Sequence, residues 1–70
     1  MRTTISIVAN GRRYEIPAAQ SLDAFLESIG VAPKLVVVER NRAALTPGEA
    51  RATVLADGDV LEVVRIVAGG

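Results

Sequence analysis

Residues 21–30 read SLDAFLESIG, and the spacing of their apolar side chains decides how the rest of the chain must be arranged. Leu22, Phe25, Leu26 and Ile29 recur at i, i+3, i+4 and i+7, which stacks them on one stripe of a helix. Ser21 stands where an N-cap is needed, and Asp23 puts a negative charge in the first turn, where the helix dipole favours it. Gly30 supplies the left-handed residue that ends such a helix, and Pro33 prevents its resumption. A helix of about two or three turns does not persist alone in water. Its stripe therefore has to lie on a sheet, and the flanking sequence must provide that sheet.

Upstream, Thr3 to Ala9 alternates, with Ile5, Ile7 and Ala9 on one face and Thr4, Ser6 and Val8 on the other, the period of a half-buried strand. Asn10-Gly11 readily takes the left-handed backbone of a two-residue hairpin turn, so Arg12 to Ile16 is expected to fold back antiparallel with Tyr14 and Ile16 inward, until Pro17 ends it. Downstream, the β-branched run Leu35 to Arg40 reads as an interior strand, and Asn41-Arg42 turns the chain into a brief strand near Ala43 to Leu45. Thr46-Pro47-Gly48-Glu49 has the form of a capping box opening a turn or so of helix. Asp57-Gly58-Asp59 makes a tight turn, and Val60 to Ile66 is the last strand. A helix between strands can make the crossover that parallel pairing requires, so the first and last strands can lie side by side. The expected class is α+β with the β-grasp, or ubiquitin-like, architecture: a mixed four- to five-stranded sheet on one main helix, plus a short helical turn.

Composition narrows the function. Seventy residues, half of them hydrophobic, suffice for a single domain spanning 1–70. With no cysteine and no histidine, neither disulfides nor structural zinc can support it, and Tyr14 and Phe25 are the only aromatics, so the core is aliphatic. Eight basic residues balance eight acidic ones, leaving no field to attract nucleic acid and no platform for stacked bases. No stretch approaches the roughly 18 apolar residues of a membrane span, and Thr3-Thr4 follows Met1-Arg2 without a signal-type apolar run, so the expected compartment is the cytoplasm.

Side chains for an active site are missing. Without histidine or cysteine the usual general base, thiol nucleophile and soft metal ligands are absent. Ser21 reads as a cap and Ser6 as a strand-face residue. Asp57 and Asp59 lack the ligand number of a calcium site, so they read as a turn and no metal site is expected. Attention moves to the segment after the last strand, 67–70, expected to be a flexible tail. Four extended residues reach roughly 13 Å, enough to enter a partner's cleft. Lacking a Cβ, Gly69 and Gly70 can pass a constriction that larger residues cannot. On the last strand Leu61 and Val63 should face the helix, which leaves Glu62, Val64 and Ile66 on the open sheet face as a candidate partner surface.

The tail Ile66-Val67-Ala68-Gly69-Gly70, the Asp57-Gly58-Asp59 turn, the Val38-Glu39-Arg40-Asn41 segment and the total length together resemble the ThiS family, the sulfur carriers of thiamine thiazole synthesis. The resemblance covers nearly the whole chain. It implies a carrier rather than an enzyme, with the Gly70 carboxylate as the working group and Gly69, Ala68 and Val67 threading it into partners. A ThiF-like adenylyltransferase, using its own ATP and magnesium, would adenylate Gly70. Sulfur from a cysteine desulfurase route would then convert it to a thiocarboxylate, a covalent 1-thioglycine, with no cofactor bound by the chain itself. A ThiG-like thiazole synthase would receive the sulfur. Alternatives within the same architecture are a carrier for molybdopterin, like the small subunit of molybdopterin synthase, a carrier for cysteine synthesis, or a ubiquitin-like modifier or interaction module.

Overall fold

The computed structural model describes residues 2–67; the expectations placed on Ala68, Gly69 and Gly70 lie outside the described residues. Two strands, β1 (Thr4–Ala9) and β2 (Arg12–Pro17), form the first hairpin and lead into helix α1 (Leu22–Ser28). A single 3-10 turn (Pro33–Leu35) precedes β3 (Val36–Arg40) and the two-residue β4 (Ala43–Ala44). Helix α2 (Pro47–Ala52) and β5 (Val60–Arg65) complete the order. The sheet runs β2-β1-β5-β3-β4, with β5 at its centre, parallel to β1 and antiparallel to β3. This is the β-grasp arrangement, with five strands and one main helix.

Both hairpins turn on asparagine. Asn10 and Gly11 have φ of 51° and 78°, and Asn41 and Arg42 have 51° and 72°, so each pair occupies the left-handed region at both central positions. That backbone has the twist that matches flanking right-handed strands. The resulting registers are Ala9 opposite Arg12 and Arg40 opposite Ala43.

Helix α1 starts as its sequence indicates, the Ala24 amide donating to Ser21 Oγ at 3.0 Å. It ends one residue sooner than the apolar spacing implies. Gly30 N donates to Glu27 O at 3.0 Å and Val31 N to Leu26 O at 2.9 Å, a Schellman closure with Gly30 at φ 79°. Ile29 thus becomes the C-cap and stands 37% exposed, so the buried stripe consists of Leu22, Phe25 and Leu26 alone. A second difference lies at Leu35, which Pro33 draws into the 3-10 turn, its amide donating to Ala32 O at 3.0 Å. The capping box at α2 forms in full: Glu49 N donates to Thr46 Oγ1 at 3.2 Å and Thr46 N to Glu49 Oε1 at 2.8 Å.

Ile5, Ile7 and Ala9 of β1, Ile16 of β2, Val38 of β3 and Leu61 of β5 meet the α1 stripe, with Ala50 and Leu55 closing one side. Phe25 takes the edge of the half-buried Tyr14 ring, the centroids 5.1 Å apart at an interplanar angle of 76°. Each large aliphatic side chain buried this way contributes about 1.5–3 kcal/mol relative to exposure. A handful of them matches the whole stability of a small domain, which is why an aliphatic core holds without covalent support. Arg42 is the local exception to this economy, since its Cβ is strained at positive φ while glycine there is not. Arg42→Gly is expected to raise stability by about 0.5–1 kcal/mol, the relief of strain less the added backbone entropy of glycine, measured by urea unfolding.

Candidate functional site

The segment that leads to residues 68–70 is β5, and the structure secures it from both sides. On the β1 side, Val8 N donates to Asp59 O and Asn10 N to Leu61 O, each at 2.9 Å. The Asn10 side chain then takes the next position in the ladder: its Nδ2 donates to Val63 O at 3.0 Å and its Oδ1 accepts from Val63 N at 2.7 Å. On the β3 side Asn41 does the equivalent, its backbone N donating to Val60 O at 2.8 Å and its Oδ1 accepting from Val60 N at 2.9 Å. Each hairpin asparagine thus shapes its own turn and also binds the central strand. The dipeptides were legible as turns; these long-range side-chain bonds carry no local signature.

The Asp57-Gly58-Asp59 turn is likewise more than a reversal of direction. Asp57 Oδ1 accepts from Ser6 N and Gly58 N donates to Ser6 O, both at 2.8 Å, so the turn extends the β1 ladder before β5 begins. That backbone bond from Ser6, together with the Arg2 guanidinium, holds the Asp57 carboxyl below its ordinary value. Asp59 is buried, and Ala56 N, Asn41 Nδ2 and Arg40 Nε donate to its two oxygens at 2.9, 3.0 and 2.9 Å. Burial pushes its carboxyl up, but the Ala56 amide, the Asn41 amide and the Arg40 guanidinium together outweigh it and hold the carboxyl down.

Along β5 the side chains separate as the alternation implies. Leu61 is fully buried and Val63 packs half-buried against the core, while Glu62 and Val64 face solvent, Val64 61% exposed. Across the ladder Val64 lies opposite Val37, itself 48% exposed, and Glu62 lies opposite Glu39. The open face therefore presents an apolar pair beside two like charges. Opposed carboxylates weaken a sheet slightly, and among the described residues neither glutamate joins an ion pair. Ile66 lies past the end of β5, where its amide donates to Leu35 O at 2.8 Å. It borders a recess of about 100 Å³ together with Lys34, Val36, Leu45, Pro47 and Arg51. Val67 is 82% exposed. The structure thus brings Glu62 and Val64 together on one face, sets Ile66 at the root of the tail beside a separate recess, and leaves Val67 in solvent. Among the described residues no three histidine, cysteine, aspartate or glutamate side chains gather where a metal ion could be held. Nor is any helix there long and apolar enough to cross a membrane.

Comparison with known proteins gives four likenesses. The model of the ThiS family matches residues 5–70. A thiazole synthase of Magnetococcus marinus is 38% identical over 66 residues, 94% of this chain and 20% of that protein. One of Paramagnetospirillum magneticum is 32% identical over 66 residues, with the same shares. The chain spans about a fifth of the length of these curated relatives. The crystal structure of the thiamine biosynthesis protein ThiS from Geobacter metallireducens superposes with a TM-score of 0.75 at 28% identity, covering 94% of this chain and 100% of that one.

The acid limb of stability follows from Asp59. A carboxyl held below its ordinary 3.8 stabilises the fold above that value, and the contribution is lost as pH falls through the lower folded value. Thermal unfolding is expected to be insensitive to pH near neutrality and to shift to lower temperature below about pH 4. Asp59→Asn should unfold at lower temperature at pH 7 and show a shallower acid limb, with Asp57 supplying what remains.

Proposed function

The chain belongs to the ThiS family, and from that premise we propose that it carries sulfur for thiamine biosynthesis as a thiocarboxylate on Gly70. The observation that carries this reading is the extent of the family match, which runs through Gly69 and Gly70. A carboxylate is a poor electrophile. In the first step a Gly70 oxygen attacks the α-phosphorus of ATP on a ThiF-like adenylyltransferase, and pyrophosphate leaves with the electron pair of the broken P–O bond. The terminal sulfur of a persulfide from a cysteine desulfurase route then adds to the acyl carbon and AMP departs; a thiol cleaves the S–S bond of the resulting acyl disulfide, leaving as the disulfide and releasing the thiocarboxylate. ATP and magnesium belong to the activating enzyme; this chain is its substrate. A thiazole synthase takes the sulfur and returns an ordinary carboxylate. The occurrence of a related segment within proteins named thiazole synthase supports that acceptor.

What this chain contributes is positioning. The carboxylate must travel into another protein's cleft while the body stays folded outside it. β5, bonded on both edges as far as Val63, carries the near end of the tail. Gly69 and Gly70 present no side chain to obstruct approach to the reacting carbon. The exposed face around Val64, with Glu62 beside it, and Ile66 at the tail root provide the docking surface that holds the body against the activating enzyme. Exposed apolar side chains next to a reacting end mark a partner surface, because their burial drives association.

Two measurements test this reading. Incubation with the activating enzyme, ATP and a sulfur donor is expected to raise the mass of the C-terminal peptide by the difference between sulfur and oxygen, and deletion of Gly70 to abolish the change while leaving the circular dichroism spectrum intact. Attachment to a substrate lysine would instead make the chain a protein modifier and refute the sulfur reading. Separately, Val64→Arg should weaken calorimetric binding to the activating enzyme about tenfold or more with a small effect on unfolding temperature; unchanged affinity would remove Val64 from the docking surface.

A further inference from the structure

Successive peptide groups of β5 point to opposite neighbours, and following them residue by residue exposes an incomplete ladder. The even positions are directed to β3. Asn41 N donates to Val60 O at one end, Ile66 N donates to Leu35 O at the other, and the pairings of Glu62 with Glu39 and Val64 with Val37 lie between. The odd positions are directed to β1: Asp59 O and Leu61 O accept backbone amides of Val8 and Asn10, and Val63 bonds through both groups to the Asn10 carboxamide. Arg65 is next in that set. By then β1 has entered the Asn10-Gly11 turn, and backbone pairing between the two strands has stopped at Ala9 opposite Leu61. Among the described residues no hydrogen bond from β1, β2 or their turn reaches the Arg65 N–H or C=O.

β5 is therefore a central strand for most of its length and an edge strand at Arg65, with Val67 two positions further on. The Asn10 side chain is the last rung before the gap. An open edge is a template for another extended chain, which alone offers donor and acceptor at the matching spacing of about 6.8 Å along the strand. We infer that the Arg65 peptide group pairs with an extended segment of the activating enzyme, which continues the sheet along the root of the tail.

This inference rests on the sulfur-carrier reading and says how the carboxylate is aimed. Gly70 is the fifth residue after Arg65, at most roughly 17 Å away along an extended chain. A strand laid against Arg65 fixes the direction in which those residues leave the body. It does so through backbone atoms alone, so the side chains of the tail can stay small. The activating enzyme is the fitting occupant because it must hold the tail extended while adenylation takes place. A second copy of this chain on the same edge would cover the tail root instead.

The experiment removes the Arg65 N–H and leaves every donor of the internal ladder in place. The Arg65 amide does not serve β3, so a semisynthetic chain carrying an ester in place of the Val64–Arg65 amide keeps every internal donor and its arginine side chain, with only a weaker acceptor at the Val64 carbonyl. In ATP–pyrophosphate exchange with the activating enzyme, its KM is expected to rise about tenfold over that of the amide chain assembled in the same way, with an unfolding temperature within a few degrees. Arg65→Pro should likewise show a KM about tenfold above that of Arg65→Ala; proline is tolerated where a strand N–H faces outward. If Arg65→Pro fails to fold, the ester chain decides. An ester chain with unchanged KM overturns the inference while leaving the carrier reading in place. A wild-type dimer that the ester abolishes would assign the rung to a second copy and also overturn it. A wild-type chain that supports no exchange and gains no sulfur fails the carrier reading, and this inference with it.

Discussion

The structure depends on keeping β5 in the middle of the sheet. A strand with neighbours on both sides has its backbone groups satisfied and one face covered, and β5 reaches that state through a short parallel contact with β1 and a longer antiparallel one with β3. The parallel contact alone is weak. It is reinforced at one end by the Asp57-Gly58 bonds to Ser6 and at the other by the Asn10 carboxamide. Asn41 and Asp59 reinforce the other side, joined by the bond from Asn41 Nδ2 to Asp59 Oδ1, while the Arg40 guanidinium donates to the second Asp59 oxygen. The core then forms because Leu61, facing inward from this strand, completes the floor on which Leu22, Phe25 and Leu26 rest.

This division of labour explains how one small domain can be both firm and useful to other proteins. The inner face of the sheet does the packing, so the outer face is free to vary, and it carries valines that a solitary protein would have little reason to expose. Glu39 opposite Glu62 is a further sign that the outer face is not arranged for stability alone. That surface and the strand beneath it belong to a chain of the ThiS family, and β5 leads directly to Val67 and the residues after it.

Much of the fold was legible in the sequence because it is written in short-range patterns. The Ile5, Ile7, Ala9 alternation, the Asn10-Gly11 turn, the Ser21 cap and the Thr46-to-Glu49 box are each decided within a few residues, and the structure holds all of them. The differences at Ile29 and Leu35 sit at element ends, where a Schellman closure and a proline-led 3-10 turn override apolar spacing. The division of β5 into inward Leu61 and Val63 and outward Glu62 and Val64 was legible from period alone. The second roles of Asn10, Asn41 and Asp59 were not, since each depends on a partner 18 to 53 positions away in the chain. The Arg65 gap was hidden for the same reason: it is visible only once β1 is known to stop at Ala9.

The β1–β5 junction joins Val8 and Ala9 to Val60 and Leu61, far apart in the chain. During synthesis, the sheet cannot close until the ribosome has passed residue 65, because its middle member is still missing. A product interrupted upstream leaves Ile5, Ile7 and Leu22 uncovered, in the condition that proteases and chaperones recognise. Polypeptides that stop short of residue 65 therefore stay open to such recognition, and a compact body requires the whole of β5.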